Sequence, residues 1–150
     1  MTCAWCGSDT IASNAIFTCS DPDCFSFGII ESRTFIVWQV AVGGRLGNGY
    51  HFSDTIVWNN SPLPKVGEDL RSEICAAAKT ILEVRSRHDD EASADMYDSL
   101  TPERDLMAAH KKLDKLAAAA FGAPKYLGDG EAADNARLDL LFGNYRRLTE

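Results

Sequence analysis

The sequence predicts an α+β protein: a small β, zinc-ribbon-like N-terminal part, then a mainly α-helical bundle. Three observations predict it. Four of the five cysteines fall within the first 24 residues. Residues 27–64 join an apolar run to a glycine-rich, aromatic one. From residue 68 onward, apolar residues recur every three or four positions between clear breaks, as on helices. The chain of 150 residues therefore divides into a possible ribbon or strand–turn segment (1–26), a middle segment (27–64) and a helical domain (65–150).

The first segment reads "CAWCGSDTIASNAIFTCSDPDC". Cys3 and Cys6 form a C-x2-C pair, and Cys19 and Cys24 a C-x4-C pair. Zinc takes four ligands in a tetrahedron, and a short Cys-x-x-Cys turn can place two thiolates on one ion. Gly7 eases the backbone after the first pair, and "NAIFTC" alternates as strands do. The spacing resembles small zinc ribbons, including those of short phage proteins, and makes Cys3, Cys6, Cys19 and Cys24 the candidate metal ligands. Four thiolates leave no open position for a catalytic water, so such a zinc is structural. The competing reading makes Cys3 and Cys6 free thiols and places Cys19 and Cys24 in a strand and turn. Cys75, among Ile74, Ala78 and Leu82, is expected in the core.

In "FGIIESRTFIVWQVAVGG" the apolar residues are too dense for periodicity alone to separate helix from strand. Ser32 as N-cap favours a helix through Phe35, Trp38 and Val42, ended by Gly43 and Gly44. Next comes loop, strand, loop. Glycines at 43, 44, 47 and 49 permit close backbone approach, "YHFSDTIVW" is aromatic and β-branched, and Ser61, Pro62 and Pro64 stop it. A phosphate cradle is disfavoured, because these glycines follow a helix and no Gly-Lys-Ser/Thr is present.

Three helices complete the chain. Leu70, Ile74, Ala77, Ile81 and Leu82 mark the first, which runs to about Arg87 before the polar break "HDDEASAD". Thr101 as N-cap with Pro102 at the first position starts the second; its stripe is Leu106, Ala109, Leu113, Leu116 and Ala120, with Gly122 and Pro124 ending it. The third begins at about Glu131 or Ala133 and carries Leu138, Leu141, Phe142, Tyr145 and Leu148.

Charge limits the functions available. The net charge is −7, and the sign holds in both halves: two basic and five acidic side chains in residues 1–60, thirteen and seventeen in 61–150. An independent nucleic-acid binder usually presents a basic face, so any DNA contact here is local. The absence of a signal pattern and of a membrane-length apolar run predicts a cytoplasmic protein that does not enter membranes. His51, His88 and His110 fall on different elements with no nearby nucleophile, so no hydrolytic centre is expected.

The motifs "FGIIESRTFIVWQVAVGGRLGNGYHFSDTIVWNNSPLP", "AAAKTILEVRSRH", "ADMYDSLTP", "AHKKLDKLAAAAFG" and "ARLDLLFGNYRRLT" follow one another in order. This order resembles the carboxy-terminal end of large, single-chain type II (IIL/IIG-like) restriction–modification adenine-specific DNA methyltransferases. The likeness covers about Phe27 to Thr149, and "SNAIFTCSDPDC" extends it backward with an aspartate-rich turn that accounts for Cys19 and Cys24 without a metal. It implies that residues 27–64 end a DNA target recognition domain and that a helical C-terminal domain braces it against double-stranded DNA. Arg45, Asn48, His51, Ser53, Asn59 and Asn60 are then the candidate DNA contacts. Arginine–guanine pairing is the commonest specific base contact, yet half or more of protein–DNA hydrogen bonds go to phosphate and sugar. Two features depart from the family. Ser61 stands where an aromatic is common, and neither a glycine-rich S-adenosylmethionine loop nor an Asn/Asp-Pro-Pro-Tyr element occurs. The resemblance thus implies a non-catalytic part, truncated or separately encoded, that works with a methyltransferase or restriction body holding the S-adenosylmethionine. The alternative is a stand-alone zinc-ribbon interaction protein, of phage or mobile-element type, that docks on or modulates such an enzyme.

Overall fold

The computed structural model describes residues 3–13, 16–47, 49–87 and 104–150. Asn48, His88, the polar break and the expected Thr101–Pro102 helix start lie outside the described residues.

Two aspartates start the first helix, α1 (Phe25–Glu31). Asp21 accepts from the Ser26 and Phe27 N–H groups (3.0 and 2.8 Å), and Asp23 from Phe25 N–H (3.2 Å). These carboxylates satisfy amides that a helix start leaves without partners. Ser32 then separates α1 from α2 (Arg33–Val42). Its backbone is extended, its hydroxyl donates to Ile29 O (2.6 Å), and the same oxygen accepts from Phe35 N–H (3.3 Å). One buried serine therefore closes one helix and caps the next.

A short hairpin follows, β1 (Arg45–Leu46) against β2 (Gly49–Tyr50), and then a single wide helical turn at Asp54–Trp58. Three long helices complete the chain: α3 (Glu68–Ser86), α4 (Arg104–Ala120) and α5 (Glu131–Thr149). Glu68 and Asp69 at the start of α3 and Arg85 at its end suit the helix dipole. Beyond α4, Gly122 takes a positive φ of 94°, while Gly122 N–H bonds Ala119 O and Ala123 N–H bonds Ala118 O. This paired closure satisfies carbonyls at the helix end and requires a residue free of Cβ strain.

α3 packs most extensively on α4, α1 lies across α3, and α2 lies on α5. The shared core contains Phe27, Ile29, Phe35, Trp38, Val57, Ile74, Ile81, Leu106, Leu113 and Leu141. Gly28 sits at the crossing. A Cβ there would stand 3.0 Å from Ile74 Cγ2, 3.2 Å from Ala78 Cβ and 3.4 Å from Leu113 Cδ1. Polar links cross the same interface. The Arg33 N–H donates to Asp114 (2.7 Å), and its guanidinium pairs with Asp134. Arg71 pairs with Asp23 (2.8 Å) and lies over the Phe25 ring (4.1 Å). Arg85 pairs with Glu31 (2.6 Å), whose side chain is 3% exposed.

The helical part agrees with the sequence, and the N-terminal part differs. No strand forms among the described residues before Phe25, and "YHFSDTIVW" supplies one residue of β2, Tyr50, and a helical turn in place of one strand. The local reason is capping: Ser53 Oγ accepts from Ile56 N–H (3.3 Å), and Asn60 Nδ2 donates to Thr55 O and Ile56 O (2.6 and 3.2 Å). These side chains offer the backbone a turn that β-propensity does not register. On α5 the buried residues are Ala133, Arg137 and Leu141, while Leu148 of the expected stripe is exposed. Arg137 is covered because its guanidinium bonds Gly128 O (2.7 Å) and Asp134 (3.2 Å).

Two substitutions test this packing in urea unfolding. Gly28→Val is expected to cost about 1–3 kcal/mol by overpacking the crossing of α1, α3 and α4; an unchanged midpoint would show that the crossing yields. Arg85→Ala strands the buried Glu31 carboxylate and is expected to cost about 3 kcal/mol. Adding Glu31→Gln to it should recover part of that loss, and no recovery would assign the cost to lost arginine packing.

Candidate nucleic-acid interface

α2 leads into the hairpin through a junction with no room for a side chain. A Cβ on Gly43 would lie 2.4 Å from His51 O, 2.7 Å from Gln39 O and 3.0 Å from Val57 Cγ2. The φ of Gly43 is an ordinary −78°, so space and not backbone strain selects glycine. The Gly43 N–H closes the helix on Gln39 O (2.8 Å), and the His51 N–H reaches Gly44 O (3.2 Å) to close the hairpin base. Beneath the base, the buried Trp38 indole donates to Val57 O (2.9 Å), and Val57 is itself fully buried. Phe52 rests on Phe17 with ring centroids 5.5 Å apart. The outward hairpin thus stands on a buried support that fixes both of its ends.

On the hairpin, Arg45 faces Tyr50 directly across the strand pair. The Arg45 guanidinium carbon lies 5.1 Å from the centre of the Tyr50 ring. Both residues are exposed, and among the described residues no carboxylate pairs with Arg45. Gly47, at the turn, takes a φ of +62° with open space around it.

The structure separates the predicted contacts into two groups. Arg45 and His51 lie exposed on or beside the hairpin, and Asn59 is exposed at the end of the wide turn. Ser53 and Asn60 spend their polar atoms on that turn, and Ser53 Oγ also lies 3.0 Å from Thr55 Oγ1. Asn48 lies outside the described residues. Tyr50 was not among the candidates. The Gly47–Asn48 pair is a hairpin signal in the sequence, and reading it would have set Tyr50 opposite Arg45.

The four candidate metal ligands do not converge. Cys6 and Cys19 are exposed, Cys24 is buried ahead of α1, and Cys3 lies half-buried against Glu31. Among the described residues no three His, Cys, Asp or Glu side chains group so as to hold a metal. Cys3 donates from both its N–H (2.9 Å) and its thiol (3.3 Å) to Glu31. Burial, then the Glu31 carboxylate, pushes that thiol far above its ordinary range. Burial likewise pushes the Cys75 thiol up to about 11.

The Gly43 junction has a direct test. Gly43→Ala should leave the helical far-UV spectrum intact while speeding amide exchange at His51 by about tenfold, because one added carbon must displace the hairpin base. Unaltered exchange at His51 would mean the junction adapts without opening.

Comparison with known proteins places this geometry. Residues 1–65 match the family model described as the MmeI target recognition domain, and residues 66–150 the one described as the MmeI C-terminal domain. DNA methyltransferase A of Bacillus subtilis (strain 168) is 33% identical over 144 residues, which are 96% of this chain and 16% of that protein. A solved structure of the Type IIL restriction-modification enzyme MmeI in complex with DNA matches 83% of this chain and 16% of that one, with a TM-score of 0.74 at 34% identity. The chain therefore spans 16% of the length of each relative. With two consecutive family models covering it from end to end, the chain belongs to the MmeI family, its residues 1–65 in the target recognition domain and 66–150 in the C-terminal domain.

Proposed function

We propose that this chain is a non-catalytic DNA-recognition part of an MmeI-type, site-specific DNA methyltransferase of a restriction–modification system. In this reading the hairpin faces double-stranded DNA, and the bundle of α3, α4 and α5 holds it in place. Methyl transfer from S-adenosylmethionine to a flipped adenine belongs to a methyltransferase body outside these residues. The observation that carries the reading is Arg45: an exposed cation without an ion-pair partner among the described residues, on a hairpin rigidly held at its base, within a target recognition domain. Asn59 and His51 add exposed polar groups nearby in the chain.

Charge sets the strength of this contact. A net charge of −7 repels the duplex at long range, so one local arginine gives weak, salt-sensitive association and the body supplies the remaining phosphate contacts. Fluorescence anisotropy of a labelled 30-base-pair duplex at low salt tests this. Weak binding is expected, and Arg45→Ala should lower it while reducing the slope of log K against log salt by about one. Tight, sequence-selective binding by this chain alone would contradict the division of labour. A salt slope indifferent to Arg45→Ala would remove Arg45 from the interface.

A further inference from the structure

We infer that Tyr50 is a positioning residue for Arg45, its ring holding the guanidinium plane so that the N–H edge is presented to the duplex. The inference rests on the DNA-recognition reading of the hairpin and adds to it the residue that orients the contact. The register comes first: residues directly opposite in an antiparallel pair put their side chains on the same face, and Arg45 is opposite Tyr50. The separation of 5.1 Å between guanidinium carbon and ring centre lies within cation–π range. Tyr50 is 54% exposed and does not belong to the hydrophobic core, so packing does not explain an aromatic here.

The chemistry follows from the arginine itself. A free arginine side chain must give up considerable rotamer freedom to make a bidentate contact, and a guanidinium already stacked on a ring gives up less. Stacking occupies only the flat face. The five N–H donors lie in the guanidinium plane and point outward, so the stack does not compete with phosphate or a base edge for them. The other cross-strand pair, Leu46 with Gly49, has no side chain on its second member. Arg45 and Tyr50 therefore form the one cross-strand pair of this hairpin with two polar-tipped side chains.

A double-mutant cycle on the full chain, read by anisotropy with the same labelled duplex at low salt, tests the inference. Tyr50→Ala should weaken binding about three- to fivefold when Arg45 is present and leave it unchanged in the Arg45→Ala background. Tyr50→Phe, which keeps the ring, should bind as the unaltered chain does. Equal losses in both backgrounds, or a loss with Tyr50→Phe as large as with Tyr50→Ala, would overturn the positioning role and leave the recognition reading standing. Absence of any salt-dependent binding by the unaltered chain would overturn both. On the free protein, the upfield ring-current shift of the Arg45 δ-methylene protons should vanish in Tyr50→Ala; unchanged shifts would show that no stack exists to position anything.

Discussion

The arrangement depends on Trp38. Its indole N–H is committed to Val57 O, beneath the hairpin, while its ring lies against Phe142 and Tyr145 of α5. One side chain thereby joins the segment that leaves the hairpin to the last helix of the chain. Trp38 is 2% exposed, and burying an aromatic of this size contributes several times the roughly 0–1 kcal/mol of an exposed ion pair. Its single polar atom would be costly to bury unpaired, so the Val57 carbonyl fixes which way the ring turns.

Around that tryptophan, the charged contacts supply orientation more than stability. Arg33–Asp134, Arg71–Asp23 and Arg85–Glu31 each join a residue before 65 to one after 66. Arg71 and Asp23 are each 37% exposed, so water screens their attraction. Arg33 holds the Asp134 carboxyl below the usual range, chiefly through its hydrogen bonds, and part of that gain is offset by the cost of burial. Glu31 is different: a buried carboxylate accepts from Arg85, Cys3 N–H and the Cys3 thiol together. Such a cluster stabilises little over an apolar packing but tolerates few alternative arrangements.

Much of this fold is readable from residues whose preference and environment agree. Ser32 capped α2 as its chemistry dictates, and the periodic stripes of α3 and α4 face the core. Where the two disagree, the sequence misleads. Phe27 to Ile30 lie in α1, within an apolar run too dense to show a period, and two aspartates upstream set its start. Thr55, Ile56 and Val57 favour strands, yet caps from Ser53 and Asn60 wind them into a turn. The cysteine spacing does not show that Cys3 meets a carboxylate of α1, a contact 28 residues away in the chain. Of the polar residues that the resemblance singled out, Arg45 and His51 are exposed on or beside the hairpin, whereas Ser53 and Asn60 bond the backbone of the wide turn. Polar type alone cannot separate a residue that faces a partner from one that caps a turn.

The border between the two matched regions, at residues 65 and 66, is not a seam in the packing, since Phe27, Phe35 and Trp38 share a core with Ile81, Leu113 and Leu141. Evolution and protein engineers therefore face the same geometry. Exchanging the whole first region changes one side of a shared interior, whereas replacing exposed residues between Gly44 and His51 leaves the anchors of the hairpin unchanged. Substitutions confined to those exposed residues leave the shared core untouched.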